Sequence, residues 1–189
     1  MTKSVMIVGV GGQGSLLASK LLGKVLVKEG YDVKVSEVHG MSQRGGSVVT
    51  YVRFGEKVYS PIVTEGEADY ILSFEKLEAA RWAAYLKKGG EIIVNTQEID
   101  PMPVIIGNAE YPSDILSELT AKGVKVDAVD ALSVALKAGS AKVVNTVLLA
   151  RLAEKTDIPY EKWIDAIKET VAPRFIELNE KAFRLGYEL

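Results

Sequence analysis

An apolar run over residues 4–10 (Ser-Val-Met-Ile-Val-Gly-Val) ends inside the hexapeptide Gly9-Val10-Gly11-Gly12-Gln13-Gly14. A short apolar stretch closed by glycines is the pattern of a strand buried on both faces. Directly after it, Leu17, Leu21 and Val25 recur at helical spacing with Ala18 and Leu22 beside them, while Lys20, Lys24 and Lys28 line another side. That is an amphipathic helix over residues 15–29, stopping before Gly30. Strand, glycine turn and helix in immediate succession commit the chain to an α/β architecture, with backbone N–H groups and the helix dipole aimed outward at the turn.

Residues 31–38 read as a second strand, which completes a right-handed strand, helix, strand unit in a parallel sheet. The pattern then departs from a plain nucleotide-binding domain. Residues 47–54 and 57–63 are strand-like and separated only by Gly55-Glu56, a spacing suited to a hairpin. Strands follow at 69–73 and 91–95, around a helix over 75–86 that stops at Gly89-Gly90. Pro101, Pro103 and Pro112 mark a loop-rich stretch with one short strand over 104–106, before a helix capped by Ser113 and closed by Gly123. Residues 124–129 form the last strand, and Asp130 and Gly139 bound a short helix. The final third is helical over 143–156, 160–171 and a helix restarted by Pro173, with Phe175, Leu178, Ala182 and Leu185 as its buried face. No internal repeat or Gly/Ser linker interrupts this order. The expected fold is a three-layer α/β domain over residues 1–189, a doubly wound-like mixed sheet with a β-hairpin insertion and a helical C-terminal third.

Gly9, Gly11 and Gly14 satisfy GxGxxG between a strand and a helix, where a dinucleotide pyrophosphate would sit. Glu37, at the end of the second strand, stands where a ribose ligand belongs, and together these support a self-sufficient NAD(P)- or FAD-binding oxidoreductase. The same glycines also serve a tight turn and close helix–strand packing with no ligand at all. A P-loop is excluded, because Ser15-Leu16 follow Gly14 where Lys-Ser/Thr is required.

The second unusual segment is His39-Gly40-Met41-Ser42-Gln43-Arg44-Gly45-Gly46-Ser47. It follows the second strand, so it meets the glycine turn at the carboxyl edge of the sheet, where open α/β folds bind ligands. Arg44 suits a phosphate or carboxylate there; the bland alternative is that His39 and Arg44 pack the loop or cap its carbonyls. His39 has the ordinary pKa range of a general base, but no nucleophile or orienting acid is identifiable beside it. Glu65, Glu67, Asp69 and Glu75 offer a carboxylate pair for acid–base or metal chemistry, against the simpler reading of a solvated acidic loop.

Composition narrows the chemistry. Among 189 residues, 23 Lys and Arg against 25 Asp and Glu leave a net charge of −2, so a nucleic-acid partner has no electrostatic footprint. No apolar run approaches a membrane span, and a cytoplasmic, membrane-free protein is expected. There is no cysteine and a single histidine, His39, so ligands for an iron–sulfur cluster or zinc are missing. Redox chemistry must be borrowed from a partner.

The glycine turn, the His39 to Ser47 run and the C-terminal stretch Arg174-Phe175-Ile176-Glu177-Leu178-Asn179-Glu180-Lys181-Ala182-Phe183-Arg184-Leu185-Gly186-Tyr187 together resemble the gamma-type domain of 2-oxoacid:ferredoxin oxidoreductases, across essentially the whole chain. Within that family the wording is most similar to the small subunits of the indolepyruvate type, with pyruvate- and 2-oxoglutarate-type gamma subunits as the alternatives. The resemblance implies oxidative decarboxylation of a 2-oxoacid to an acyl-CoA, with electrons passed to ferredoxin. It implies thiamine diphosphate, Mg2+ and [4Fe-4S] clusters in a large catalytic partner subunit, coenzyme A as co-substrate, and no cofactor in this chain. Gly9, Gly11, Gly12, Gln13, Gly14, His39, Met41, Ser42, Gln43, Arg44, Gly45 and Gly46 are the candidate cofactor- or substrate-binding residues; no catalytic residue and no metal ligand is assigned.

Overall fold

The computed structural model describes residues 2–37 and 46–189. Strands β1 (Lys3–Val10), β2 (Asp32–Glu37), β3 (Ser47–Gly55), β4 (Ala68–Ser73), β5 (Leu86–Asn95) and β6 (Lys125–Val129) form one mixed sheet in the order β2-β3-β1-β4-β5-β6. β1, β4, β5 and β6 are parallel, and β3 is antiparallel to both of its neighbours, β1 and β2. Helices α1 (Ser15–Lys28), α2 (Lys76–Trp82), α3 (Met102–Ile105), α4 (Ile115–Ala121), α5 (Ala131–Ala138), α6 (Val144–Glu154), α7 (Tyr160–Thr170) and α8 (Ile176–Tyr187) complete the order.

β1 shows why its sequence is apolar without alternation. Val5 and Ile7 join a core shared with α1, α5, α6, α7 and α8, whereas Met6 and Val8 join a second core with α2 and α4. With both faces covered, a central strand carries apolar residues at every position. α6 is apolar nearly all round for the same reason: it packs against the sheet on one side and α8 on the other, and Val147, Leu148, Leu149 and Leu152 are fully buried. The three-layer α/β reading therefore holds, and the helical C-terminal third is built as expected.

Several local expectations are corrected. β2 is parallel to β1 but is not its neighbour, because β3 lies between them. Residues 57–63 form no strand, so the hairpin across Gly55-Glu56 does not exist; the antiparallel partners of β3 are β1 and β2. The apolar residues that suggested a strand are separate loop anchors, with Val58 and Val63 each buried. The backbone there is held by side chains instead: Val58 N donates to Asp32 Oδ2 at 2.9 Å, and Arg53 Nη1 donates to Ile62 O at 2.6 Å. Gly89-Gly90 ends no helix but lies within β5, where a Cβ on Gly90 would stand 2.8 Å from the Asp69 carbonyl oxygen. Residues 104–106 are not extended: Val104 and Ile105 are in α3 and Ile106 is its C-cap, with Pro101 as N-cap and Pro103 in the first turn, where proline φ is suited. The N-cap of α4 is Asp114, not Ser113.

At the C-terminus Ala182 is buried as expected with Asn179, Phe183 and Gly186, Leu178 and Leu185 pack partly buried against the same core, and Phe175 stays 40% exposed. A 3-10 turn over Pro173–Phe175 precedes the helix and carries Phe175 outside it. Gly186 marks a close approach of α8 to α6: a Cβ there would lie 2.6 Å from the Val147 carbonyl oxygen and 3.1 Å from Ala150 Cβ. Gly186→Ala should therefore force α8 away from α6 despite its better helix propensity, lowering stability by about 1–3 kcal/mol. Thermal and urea unfolding followed by circular dichroism will read this as a fall in both midpoints, whereas an unchanged or raised midpoint contradicts the packing.

Candidate functional site at the carboxyl edge of the sheet

The glycine turn leaves the carboxyl end of β1, and each of its positions has a separate physical reason. A Cβ on Gly9 would meet Gln13 Oε1 and Phe74 Cβ at 2.9 Å, so this position is closed by packing. Gly12 has φ +103° with open space beside it, and Gly14 has φ +88° as the N-cap of α1. Both are left-handed conformations that glycine adopts without strain. Gln13 folds back into the turn: Val10 N donates to its Oε1 at 2.8 Å, and its Nε2 donates to the Phe74 carbonyl at 3.0 Å. Gly11 N donates to the Gly46 carbonyl at 2.8 Å, which pins the start of β3 to the turn.

The backbone of Gly11, Gly12 and Gly14, with Ser15, Leu16, Val48 and Thr50, lines a cleft of about 260 Å³ between α1 and β3. Among the described residues, the N–H groups of Gly12, Gly14, Ser15 and Leu16 meet no backbone or side-chain acceptor. Unpaired donors at a helix N-terminus with the dipole behind them form an anion-favouring surface.

Gly46 is thus placed beside the turn, while His39, Met41, Ser42, Gln43, Arg44 and Gly45 lie outside the described residues. The flanks of that segment both arrive at this edge. Glu37 closes β2, where its Oε1 accepts from Ser19 Oγ at 2.9 Å. Ser47 opens β3, and its hydroxyl donates to Glu78, whose other oxygen accepts from Arg81 Nε at 3.0 Å. Because β3 separates β1 from β2, Glu37 stands two strand spacings from β1, roughly 10 Å. That is not the neighbouring-strand geometry in which a carboxylate reaches a dinucleotide ribose.

The acidic group expected from sequence is not one site. Asp69 accepts from Ser4 N at 2.7 Å and pairs with Lys87 at the amino end of β4. Glu67 accepts from Thr64 N at 3.1 Å, and that hydrogen bond holds its carboxyl below the usual range. Glu75 is the exception, being 1% exposed and at the carboxyl edge. It caps α2 by accepting from Glu78 N at 2.9 Å, and it also accepts from Ile99 N at 3.2 Å and from the Tyr111 hydroxyl. Burial beside this carboxylate pushes the Tyr111 phenol far above its ordinary range.

Two structural sets escaped the sequence reading. One is a belt of side-chain amides: Gln13 Nε2 and Asn95 Nδ2 (3.1 Å) share the Phe74 carbonyl, and Asn95 Oδ1 accepts from Ala131 N at 3.2 Å. The other runs from the turn to α8. Asn145 Nδ2 donates to the Gly14 carbonyl at 3.3 Å, Thr146 N donates to Asn145 Oδ1 at 2.9 Å, and Thr146 Oγ1 donates to Asn179 Oδ1 at 2.7 Å. Asn179 Nδ2 then donates to the Phe175 carbonyl at 2.8 Å. The available signal was Asn145-Thr146 inside an otherwise apolar helical run, since buried polar side chains imply partners.

A Cys-ligated iron–sulfur cluster does not fit this chain, which contains no cysteine. Among the described residues no group of three His, Cys, Asp or Glu side chains is arranged to hold a metal ion. Among them too, no helix is long and apolar enough to cross a membrane.

Gln13→Ala removes both side-chain hydrogen bonds of the turn and should cost about 1–3 kcal/mol of stability. Gln13→Glu, ionised at pH 7, sets an acceptor against the Phe74 carbonyl, so its deficit should shrink at pH 4, where a protonated carboxyl can donate; denaturant midpoints at the two pH values test this. Asp130 caps α5 by accepting from Ser133 Oγ at 2.6 Å and Ser133 N at 3.0 Å, which holds its carboxyl below the usual range. A carboxyl lowered in the folded state stabilises above its unfolded pKa of about 3.9 and loses that contribution as pH falls through the lowered value. The advantage of wild type over Asp130→Asn should accordingly fade below about pH 4, and an advantage that grows on acidification contradicts the cap.

Residues 4–189 match the family described as Pyruvate ferredoxin/flavodoxin oxidoreductase. Indolepyruvate oxidoreductase subunit IorB of Thermococcus kodakarensis is 46% identical over 188 residues, covering 97% of this chain and 93% of that one. The gamma subunit of the keto/oxoacid ferredoxin oxidoreductase from Geobacter sulfurreducens PCA has a TM-score of 0.73 at 23% identity, over 98% of this chain and 96% of that one. A 2-oxoglutarate:ferredoxin oxidoreductase from Magnetococcus marinus has a TM-score of 0.77 at 17% identity, over 99% of this chain and 30% of that longer chain. The two structures share the fold, and the full-length match carries the classification: the chain belongs to the pyruvate ferredoxin/flavodoxin oxidoreductase family.

Proposed function

We propose that this chain is the accessory subunit of a cytoplasmic indolepyruvate or aryl pyruvate:ferredoxin oxidoreductase, acting as one gamma-type domain. The observation that carries the reading is the 46% identity to an indolepyruvate oxidoreductase subunit along 97% of the chain. In the overall reaction the carboxylate of the 2-oxoacid leaves as CO2. Two electrons pass to ferredoxin, and the acyl carbon bonds to the sulfur of coenzyme A as the thiol proton is released. Thiamine diphosphate with Mg2+ supplies the decarboxylation and [4Fe-4S] clusters the electron path, all held by a larger catalytic subunit; this fits a chain without cysteine.

The contribution of this chain is to close one wall of the active site. Gly12 and Gly14 offer backbone donors along the cleft that Gly11 also lines, while Gly9 and Gln13 keep the turn in shape. The segment from His39 to Gly46 supplies further contacts, from the side chains of His39, Met41, Ser42, Gln43 and Arg44 and the main chain of Gly45 and Gly46, with Arg44 as the leading contact for a coenzyme A phosphate or the substrate carboxylate.

Coexpression with the larger subunit under anaerobic conditions, with ferredoxin reduction assayed on indolepyruvate, phenylpyruvate, pyruvate and 2-oxoglutarate, tests this directly. Activity is expected on the aryl pyruvates, dependent on coenzyme A and lost without this chain. Arg44→Ala should raise KM for coenzyme A or the 2-oxoacid by about tenfold, the loss of one charge-assisted hydrogen bond. Full activity of the larger subunit alone, or an unchanged KM in the variant, would refute the respective assignment.

A further inference from the structure

The segment between β5 and α4 presents three exposed aliphatic side chains within one helical turn. Met102, Ile105 and Ile106 are adjacent around α3 and are 65%, 64% and 59% exposed. Val27 on α1 and Val35 on β2 are also exposed, but they share an open cleft lined by Lys20, Lys24 and Glu37, and Leu136 on α5 is ordinary for a surface. A cluster on one projecting turn is the kind of surface that marks an interaction site.

The projection is held in shape. Glu75, buried under it, accepts from Ile99 N before α3 and from the Tyr111 hydroxyl after it, so one carboxylate ties both ends to α2. Asn108 N and Ala109 N both donate to the Pro103 carbonyl, at 2.8 and 3.1 Å, closing the turn behind the helix. Two prolines, Pro101 and Pro103, limit the backbone further. A preorganised apolar tip loses little entropy on docking.

Charge identifies what it fits. No Lys or Arg occurs between Lys88 and Lys122, and the exposed carboxylates Glu98, Asp100, Glu110 and Asp114 flank the tip. Glu98 is partly compensated by Lys76. A second copy docking through the same patch would set these acids against each other about a twofold axis. An anionic lipid surface would repel them equally.

Resting on the subunit reading above, we propose that α3 and its flanks are a docking knob for the larger catalytic subunit, received by an apolar socket rimmed with Lys or Arg. The acidic rim steers association and the aliphatic tip holds the complex.

The test measures affinity between the tagged larger subunit and this chain, purified separately and titrated by biolayer interferometry at two ionic strengths. Ile105→Glu and the pair Met102→Ser/Ile106→Ser should weaken binding by about tenfold or more, with unfolding midpoints of the free chain unchanged. Asp100→Lys/Glu110→Lys should slow association and abolish its salt dependence. Leu136→Glu should leave the affinity as it was. Wild-type affinity in the tip variants overturns the docking knob while leaving the subunit reading intact; equal weakening by Leu136→Glu overturns it as well. No complex with wild type overturns both readings, and light scattering that shows a dimer lost in Ile105→Glu identifies a second copy as the occupant instead.

Discussion

The carboxyl edge is held together by side-chain amides where the regular main-chain ladders thin out. Beyond the ends of β1, β4, β5 and β6 only single main-chain hydrogen bonds remain, such as Phe74 N to Val8 O and Thr96 N to Val129 O. Gln13 and Asn95 take over by donating into one carbonyl, that of Phe74, and Asn95 passes the link on to the first residue of α5. Four successive strand ends are thereby held at one level. The glycine turn, the buried cap of α2 and the start of α5 all inherit their positions from this belt, and a buried amide that satisfies donor and acceptor together is a stiff connection.

Local patterning revealed the elements whose boundaries are set locally. The first strand, α1, the bounded α5 and the two cores of β1 follow from periodicity and from Gly30, Asp130 and Gly139. Partners along the sheet do not follow from such signals. The run over residues 57–63 has the apolar content of a strand, yet Val58 and Val63 serve as two separate plugs and the hydrogen bonds of that run go to Asp32 and Arg53. Only the global sheet determines that β3 inserts between β1 and β2, because each pairing joins residues far apart in sequence.

The candidate site was legible in the same uneven way. The glycine turn lies where its motif requires, but its residues divide into two kinds that the motif does not distinguish. Gly9 and Gln13 face inward and are structural, whereas Gly11, Gly12 and Gly14 line the cleft. Glu37 occupies the position expected for a ribose ligand at the end of β2, yet the inserted strand removes it from the turn. Glu75 looked like one member of a solvated acidic group. Its burial follows from segments more than 20 residues away, at Ile99 and Tyr111, which no local pattern contains.

Asn145 touches the Gly14 carbonyl across 131 residues of chain. During synthesis the turn emerges from the ribosome early, and the groups that seat it from behind emerge late. A nascent chain therefore carries an anion-favouring turn before α6 and α8 exist to support it. The order of synthesis therefore separates the turn from the groups that seat it, and its support from behind is complete only after nearly the whole polypeptide has been made.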